Sequence, residues 1–199
     1  MDYQLEQWVN GPAGSHPLID HFMLGVAQIA EPLFVVGVLL WFLIGWFRDR
    51  RHERLGAMAA LAGAAAALLI NQVLGNLWDR PRPFVAHPGA VHLLAAHSAD
   101  SSFPSDHAAA AFAICLVLIA MHRRLGLVAV VFALLMSYAR VYVGDHYPGD
   151  VAAGALVGLI AGAAVIAWLR PPFGVVDRWA LVLSRRVGLG KTIGMAARR

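Results

Sequence analysis

Five apolar runs, each near the length a lipid bilayer demands, take up most of the chain: roughly residues 22–47, 55–78, 104–121, 125–143 and 151–169. About 20 apolar residues rising 1.5 Å each cross the hydrocarbon layer as an α-helix. A helix also satisfies its own backbone N–H and C=O groups, which lipid cannot do. The expected fold is therefore all-α: a polytopic integral membrane helical bundle of about five transmembrane spans. The first run carries Glu31-Pro32 in its interior, and a break there would make six. Composition agrees, with 59% hydrophobic and 14% charged residues. A soluble domain carries about 45–50% and about 25%.

The charges orient the bundle. Arg48, Arg50, Arg51 and Arg54 follow the first run, Arg123 and Arg124 the third, and seven more Lys and Arg the fifth. With five spans these regions share one side, which the positive-inside rule assigns to the cytoplasm. The N-terminus is then outside and the C-terminus inside. Residues 1–170 form one membrane-embedded domain and 171–199 a basic cytoplasmic tail, in which 177–187 is either an interfacial amphipathic helix or plain solvated chain. The net charge of +4 is thus a matter of topology and calls for no nucleic acid. The first twenty residues hold Asp2, Glu6 and Asp20 but no Lys or Arg, so the first run is expected to stay as an anchor rather than be cleaved. Cys115 is the single cysteine, which rules out an internal disulfide. Gly154, Gly158 and Gly162 recur every four residues and are expected to pack closely within the chain, with a homodimer seam as the alternative.

Three basic residues fall on the opposite side: Arg80, Arg82 and Arg140. Each belongs to a polar cluster at the outer end of a span. The first is Asp79-Arg80-Pro81-Arg82-Pro83-Phe84, the second Ser102-Phe103-Pro104-Ser105-Asp106-His107, and the third runs from Arg140 to Asp150. Singly, each reads as helix punctuation. Together their chemistry suits phosphate. Pro104-Ser105-Asp106-His107 opens a helix whose first N–H groups form an anion site, with the Ser105 hydroxyl as a further donor. Arg82 and Arg140 supply guanidinium forks, and Arg80 either helps them or ends its span. His107 and His146 provide one nucleophile and one acid. Asp150 stands four residues after His146, and a helical turn between them would let the carboxylate bond one ring nitrogen of His146 and leave the other free to attack.

With these residues the chain resembles the type 2 phosphatidic acid phosphatase family. That family's motifs are Lys, six residues, Arg-Pro; then Pro-Ser-Gly-His; then Ser-Arg, five residues, His, three residues, Asp. Here stand Arg82-Pro83, Pro104-Ser105-x-His107 and Arg140, His146, Asp150, within roughly 70–155. Three positions depart: Gly75 where the motif lysine would be, Asp106 for the glycine, and Ala139 for the serine. Arg80 is the candidate to replace the missing ammonium. The first two motifs resemble the bacterial undecaprenyl pyrophosphate phosphatase branch. The resemblance implies a metal-free, cofactor-free mechanism in which His146 attacks phosphorus and His107 protonates the leaving oxygen, then activates water. Arg82, Arg140, Ser105 and the N–H groups near Asp106 would hold the phosphate oxygens. It further implies a lipid phosphate as substrate, in the bacterial inner membrane, with the site facing the periplasm or exterior. Phosphatidylglycerol phosphate and phosphatidic acid are alternative substrates, and oligomeric state is left open.

Several polar residues have plainer readings. His16, His21, His52 and His122 are expected to be solvated, and His87, His92 and His97 to line an exposed loop at 79–103. Asp145 reads as a turn residue, and Tyr138, Tyr142 and Tyr147 as an interface belt. A metal site built from His107, His146, Asp145 and Asp150 is disfavoured because the arginines would repel a cation. A non-catalytic lipid-phosphate binder or transporter would not need the His/His/Asp set.

Overall fold

The computed structural model describes residues 1–169, leaving aside the side chains of 168 and 169; the tail from 171 lies outside the described residues. Seven helices follow in order: α1 (Asp2–Asn10), α2 (Pro17–Phe47), α3 (Arg51–Leu77), α4 (Pro83–Ala86), α5 (Asp106–Met121), α6 (Arg123–Tyr142) and α7 (Pro148–Ala164). The last passes into a π-helical turn, Val165–Leu169. The five expected runs are α2, α3, α5, α6 and α7, and the chain is a multi-pass membrane protein. α2 passes through Pro32 without a break, so the six-span alternative does not hold. A transmembrane helix tolerates proline where its neighbours take up the freed carbonyl.

Four of the five are long and apolar enough to cross a membrane, while α5 is shorter. Its 16 residues extend only about 24 Å. It is the central helix, packed by α2, α3, α6 and α7. Ala108, Ala109, Ala111, Phe112, Ala113, Ile114, Cys115, Val117 and Leu118 are all buried, covering its whole circumference. A helix apolar all round belongs in an interior. The outer helices instead present Leu40, Leu69, Val128, Val131 and Ile160 outward, as lipid-facing surfaces do.

Lipid removes the hydrophobic drive between helices, so close packing has to hold them. The glycines of α7 provide it. A Cβ at Gly154 or Gly158 would overlap the backbone carbonyl of Ser105 or Ala109 on α5, and Gly162 lies against Ala113. The small-residue stripe is thus an intrachain seam, as expected.

At the end bearing the α2–α3 and α5–α6 turns, a polar knot ties three helices. Glu53 accepts from Trp41 Nε1 at 2.6 Å and pairs with His122 Nε2 at 2.7 Å. His122 is therefore a partnered histidine, not the solvated one expected. At the other end α1 lies across the mouth of the bundle against α6 and α7. Asn10 binds the backbone N–H and carbonyl of His92 and the carbonyl of Tyr142, all at 2.8 Å. Burial pushes the Glu6 carboxyl up to about 7, and among the described residues neither of its oxygens has a hydrogen-bond partner.

Candidate active site

The three clusters converge where α3 ends and α5 and α7 begin. Pro148 opens α7, with its fixed φ suited to a first turn. Asp150 stands two residues further, fully buried, and its Oδ2 accepts the Tyr147 N–H at 2.9 Å. This start explains a departure from expectation. His146 lies before the helix, so it and Asp150 are not one helical turn apart. His146 Nδ1 is 3.8 Å from Asp150 Oδ2, beyond hydrogen-bond reach.

Ser102 bridges the gap. His146 Nδ1 lies 2.9 Å from the Ser102 carbonyl, to which it donates. The Ser102 hydroxyl donates to Asp150 Oδ2 at 2.5 Å. Ser102 is wholly buried, although it comes from the 79–103 loop expected to be exposed. A backbone N–H, from Ser102 to the Arg80 carbonyl at 2.8 Å, pins that part of the loop. Nothing in the local sequence singles out Ser102 from Ser98 or Ser101; its position beside the second motif is the only hint.

With Nδ1 protonated, the lone pair of His146 resides on Nε2. Arg82 Nη1 lies 3.4 Å from that nitrogen and donates to the Asp145 carbonyl at 3.1 Å, while its Nε holds Asp100 at 2.8 Å. Arg140 pairs with Asp145 at 3.2 Å and meets His97 Nε2 at 3.3 Å. Asp145 is thus a buried partner of Arg140 rather than a turn residue alone. The turn needs Gly144, at φ 86°, where a side chain would also strike Val91 and the His92 carbonyl. Burial, foremost, and the charges of Arg140 and Arg82 hold the His146 imidazole below its ordinary pKa, with Asp150 pulling the other way. Neutral imidazole is the nucleophilic form.

Arg80 is placed differently from a phosphate cation. Its Nη1 pairs with Asp150 Oδ1 at 2.7 Å, its Nη2 with Asp2 Oδ2 at 2.8 Å, and it stacks 3.9 Å over the Tyr147 ring. Asp2 also accepts the Gly149 N–H at 2.9 Å, so α1 reaches directly into the third motif. Tyr147 and Tyr142 are buried, Tyr142 donating to Asp20 at 2.8 Å, which leaves Tyr138 the exposed one of the three expected belt residues.

Ser105 occupies the N-cap position of α5, fully buried, and among the described residues its hydroxyl has no hydrogen-bond partner; nor has Arg140 Nε. Two donors are therefore left for something else. Asp106 begins α5 and accepts from Asn71 Nδ2 at 2.9 Å. His107 pairs with Glu31 of α2 at 2.8 Å, and among the described residues no hydrogen bond joins it to His146. Gly75 faces the Phe103 carbonyl, beside a polar cleft of about 380 Å³ lined by Asn71, Asp79, Asp100 and Asp106. Among the described residues no group of three His, Cys, Asp or Glu is arranged to hold a metal ion.

A membrane bundle that gathers arginines around a buried, neutral histidine at a helix N-terminus defines an integral membrane phosphatase. The chain belongs to the PAP2 superfamily, whose family model matches residues 56–172. It is 34% identical to the undecaprenyl-diphosphatase BcrC of Bacillus subtilis, over 81% of each chain. It is 35% identical to the putative undecaprenyl-diphosphatase YbjG of Escherichia coli, over 84% of this chain and 83% of that one. Among solved structures, LpxE of Aquifex aeolicus superposes with a TM-score of 0.70 at 27% identity, over 84% of this chain and 95% of that one.

Proposed function

We propose that the chain hydrolyses the terminal phosphate of a polyprenyl diphosphate, undecaprenyl pyrophosphate to undecaprenyl phosphate, at the outer face of the bacterial plasma membrane. The observation that carries the chemistry is the state of His146: buried, Nδ1–H held by the Ser102 carbonyl, Nε2 unprotonated beside Arg82. His146 Nε2 forms a bond to the terminal phosphorus as the bridging P–O bond breaks. The electron pair leaves with undecaprenyl phosphate, whose oxygen takes a proton from His107. Water then attacks the phosphohistidine phosphorus, its proton passing to His107, and as the P–O bond forms the P–Nε2 bond breaks, releasing phosphate and restoring His146. Arg82, Arg140, the unpartnered Ser105 hydroxyl and the N–H groups at Asp106 hold the equatorial oxygens. Phosphoryl transfer needs mostly positioning and charge stabilisation, which such fixed donors supply. Arg80 acts one step back, fixing Asp150, which through Ser102 orients His146. Two relatives bearing undecaprenyl-diphosphatase names support the choice of lipid.

Phosphate release by purified protein from undecaprenyl diphosphate, phosphatidylglycerol phosphate and phosphatidic acid tests the reading. The polyprenyl diphosphate is expected to turn over fastest, with rates unchanged in excess EDTA. Label from a ³²P-labelled terminal phosphate should be trapped in a base-stable, acid-labile form and vanish in His146→Ala. Label retained by that variant would move the nucleophile elsewhere, and preference for phosphatidic acid would change the substrate. The sidedness is tested with single cysteines at Ser98 and His52 in a Cys115→Ala background. An impermeant maleimide should label the first in intact cells and not the second.

A further inference from the structure

Glu31 lies in the interior of α2, ahead of residues 56–172 that the family model matches, and in none of the three motifs. Its Oε2 is 2.8 Å from His107 Nε2. An ionised carboxylate only accepts, so Nε2 of His107 carries the hydrogen and donates it. The ring is fixed by that bond, with Nδ1 as the nitrogen left over. Among the described residues Glu31 is the one group to which the His107 side chain is bonded. Half of the Glu31 side chain is exposed, and it lies within electrostatic reach of Arg140 on α6. A carboxylate facing hydrocarbon would be costly, whereas one at the edge of an arginine-lined mouth is not. α2 thereby adds an element to the site that the motifs, all on α3 to α7 and their loops, do not contain.

We propose that Glu31 is the positioning residue for His107 in proton transfer, an inference that rests on the phosphatase reading above. In the first step the proton on Nδ1 passes to the leaving oxygen while Nε2–H stays on Glu31. In the second, Nδ1 takes a proton from water. The carboxylate holds one ring orientation through both steps and stabilises the imidazolium that precedes the first and is re-formed by the second, the role that the aspartate of a Ser-His-Asp triad plays for its histidine.

The test exploits leaving groups. Dodecyl phosphate releases an alkoxide that needs the proton; 4-nitrophenyl phosphate releases a stable anion that does not. General acid catalysis contributes ~10²–10⁴-fold, so in single turnover, which reads the first step alone, Glu31→Gln should slow alcohol release from dodecyl phosphate by ~10–100-fold and nitrophenol release from 4-nitrophenyl phosphate by less than ~3-fold, with half-saturation held within about twofold. Glu31→Asp should recover part of the loss. In a His107→Ala background, Glu31→Gln should cost less than ~2-fold on dodecyl phosphate, because two residues acting through one group are not additive. Equal losses on both substrates, or a full further loss in the His107→Ala background, would show a purely structural role and overturn the inference. Wild-type protein inactive on every phosphate ester and diphosphate would instead remove the phosphatase reading itself.

Discussion

Replacing Ser102 by alanine cuts the bridge between Asp150 and His146 while leaving both residues in place. The hydroxyl donates to Asp150 Oδ2 at 2.5 Å, and both residues are fully buried. A hydrogen bond to a buried charge is worth about 1.5–3 kcal/mol. Asp150 would keep the Tyr147 N–H on the same oxygen and Arg80 on the other. The Ser102 carbonyl would still hold His146 Nδ1, because alanine retains the backbone. Ser102→Ala is therefore expected to fold and to bind lipid, but to lose about 10–100-fold in kcat, at 1.4 kcal/mol per decade. Phosphate release and the burst of phosphoenzyme should fall together. Ser102→Thr should keep most activity. Ser101→Ala serves as a control, since its hydroxyl reaches only the carbonyls of Trp78 and Phe103. A Ser102→Ala rate within twofold of wild type would refute the bridge and return Asp150 to direct contact with His146.

Arg80→Ala should destabilise the fold by about 2–3 kcal/mol in chemical denaturation, below the 3–5 kcal/mol of a fully buried pair because the Arg80 side chain is 24% exposed. Gly75→Lys should not rescue it, since the lost partner is Asp150 and not a phosphate; recovery would restore the phosphate role. Glu6 is the source of a pH effect: its pKa rises in the fold from 4.5 to about 7. A raised carboxyl adds stability that is full below 4.5 and fades as pH climbs through 7, so Glu6→Gln should raise Tm at pH 8 and change it little at pH 4. Gly158→Leu should prevent α5 and α7 from closing and abolish monodisperse protein on size exclusion, whereas Gly37→Leu, with open space at its Cβ, should not.

The chemical character of the site is legible in the chain because each motif residue sits at the end of a span, and spans are fixed by local hydropathy. Arg82, Ser105, Arg140, His146 and Asp150 needed only helix ends placed on one face to be gathered. The pairing among them was not legible. Spacing suggested a direct His146–Asp150 bond, but Pro148 starts α7 between them and turns the carboxylate to the Tyr147 N–H and Ser102 instead. Arg80 looked like a spare cation by elimination, and its two carboxylate partners come from residues 2 and 150.

What the sequence by itself determined is what adds up locally: five apolar runs, the glycine spacing that seats α7 on α5, and the polar clusters that punctuate the spans. Hydropathy and small-residue period act within one or two helical turns, so they survive translation from chain to fold unchanged. Tertiary structure alone decided who bonds to whom. Asp2 reaches Gly149 across 147 positions, Asn10 reaches Tyr142 across 132, and Ser102 reaches Asp150 across 48. A buried polar group must find a partner, but many candidates satisfy that demand equally well on paper. The choice falls to whichever donor the packing of α1, α2 and the 79–103 loop brings within about 3 Å. That is a property of the assembled bundle and is written in no single segment.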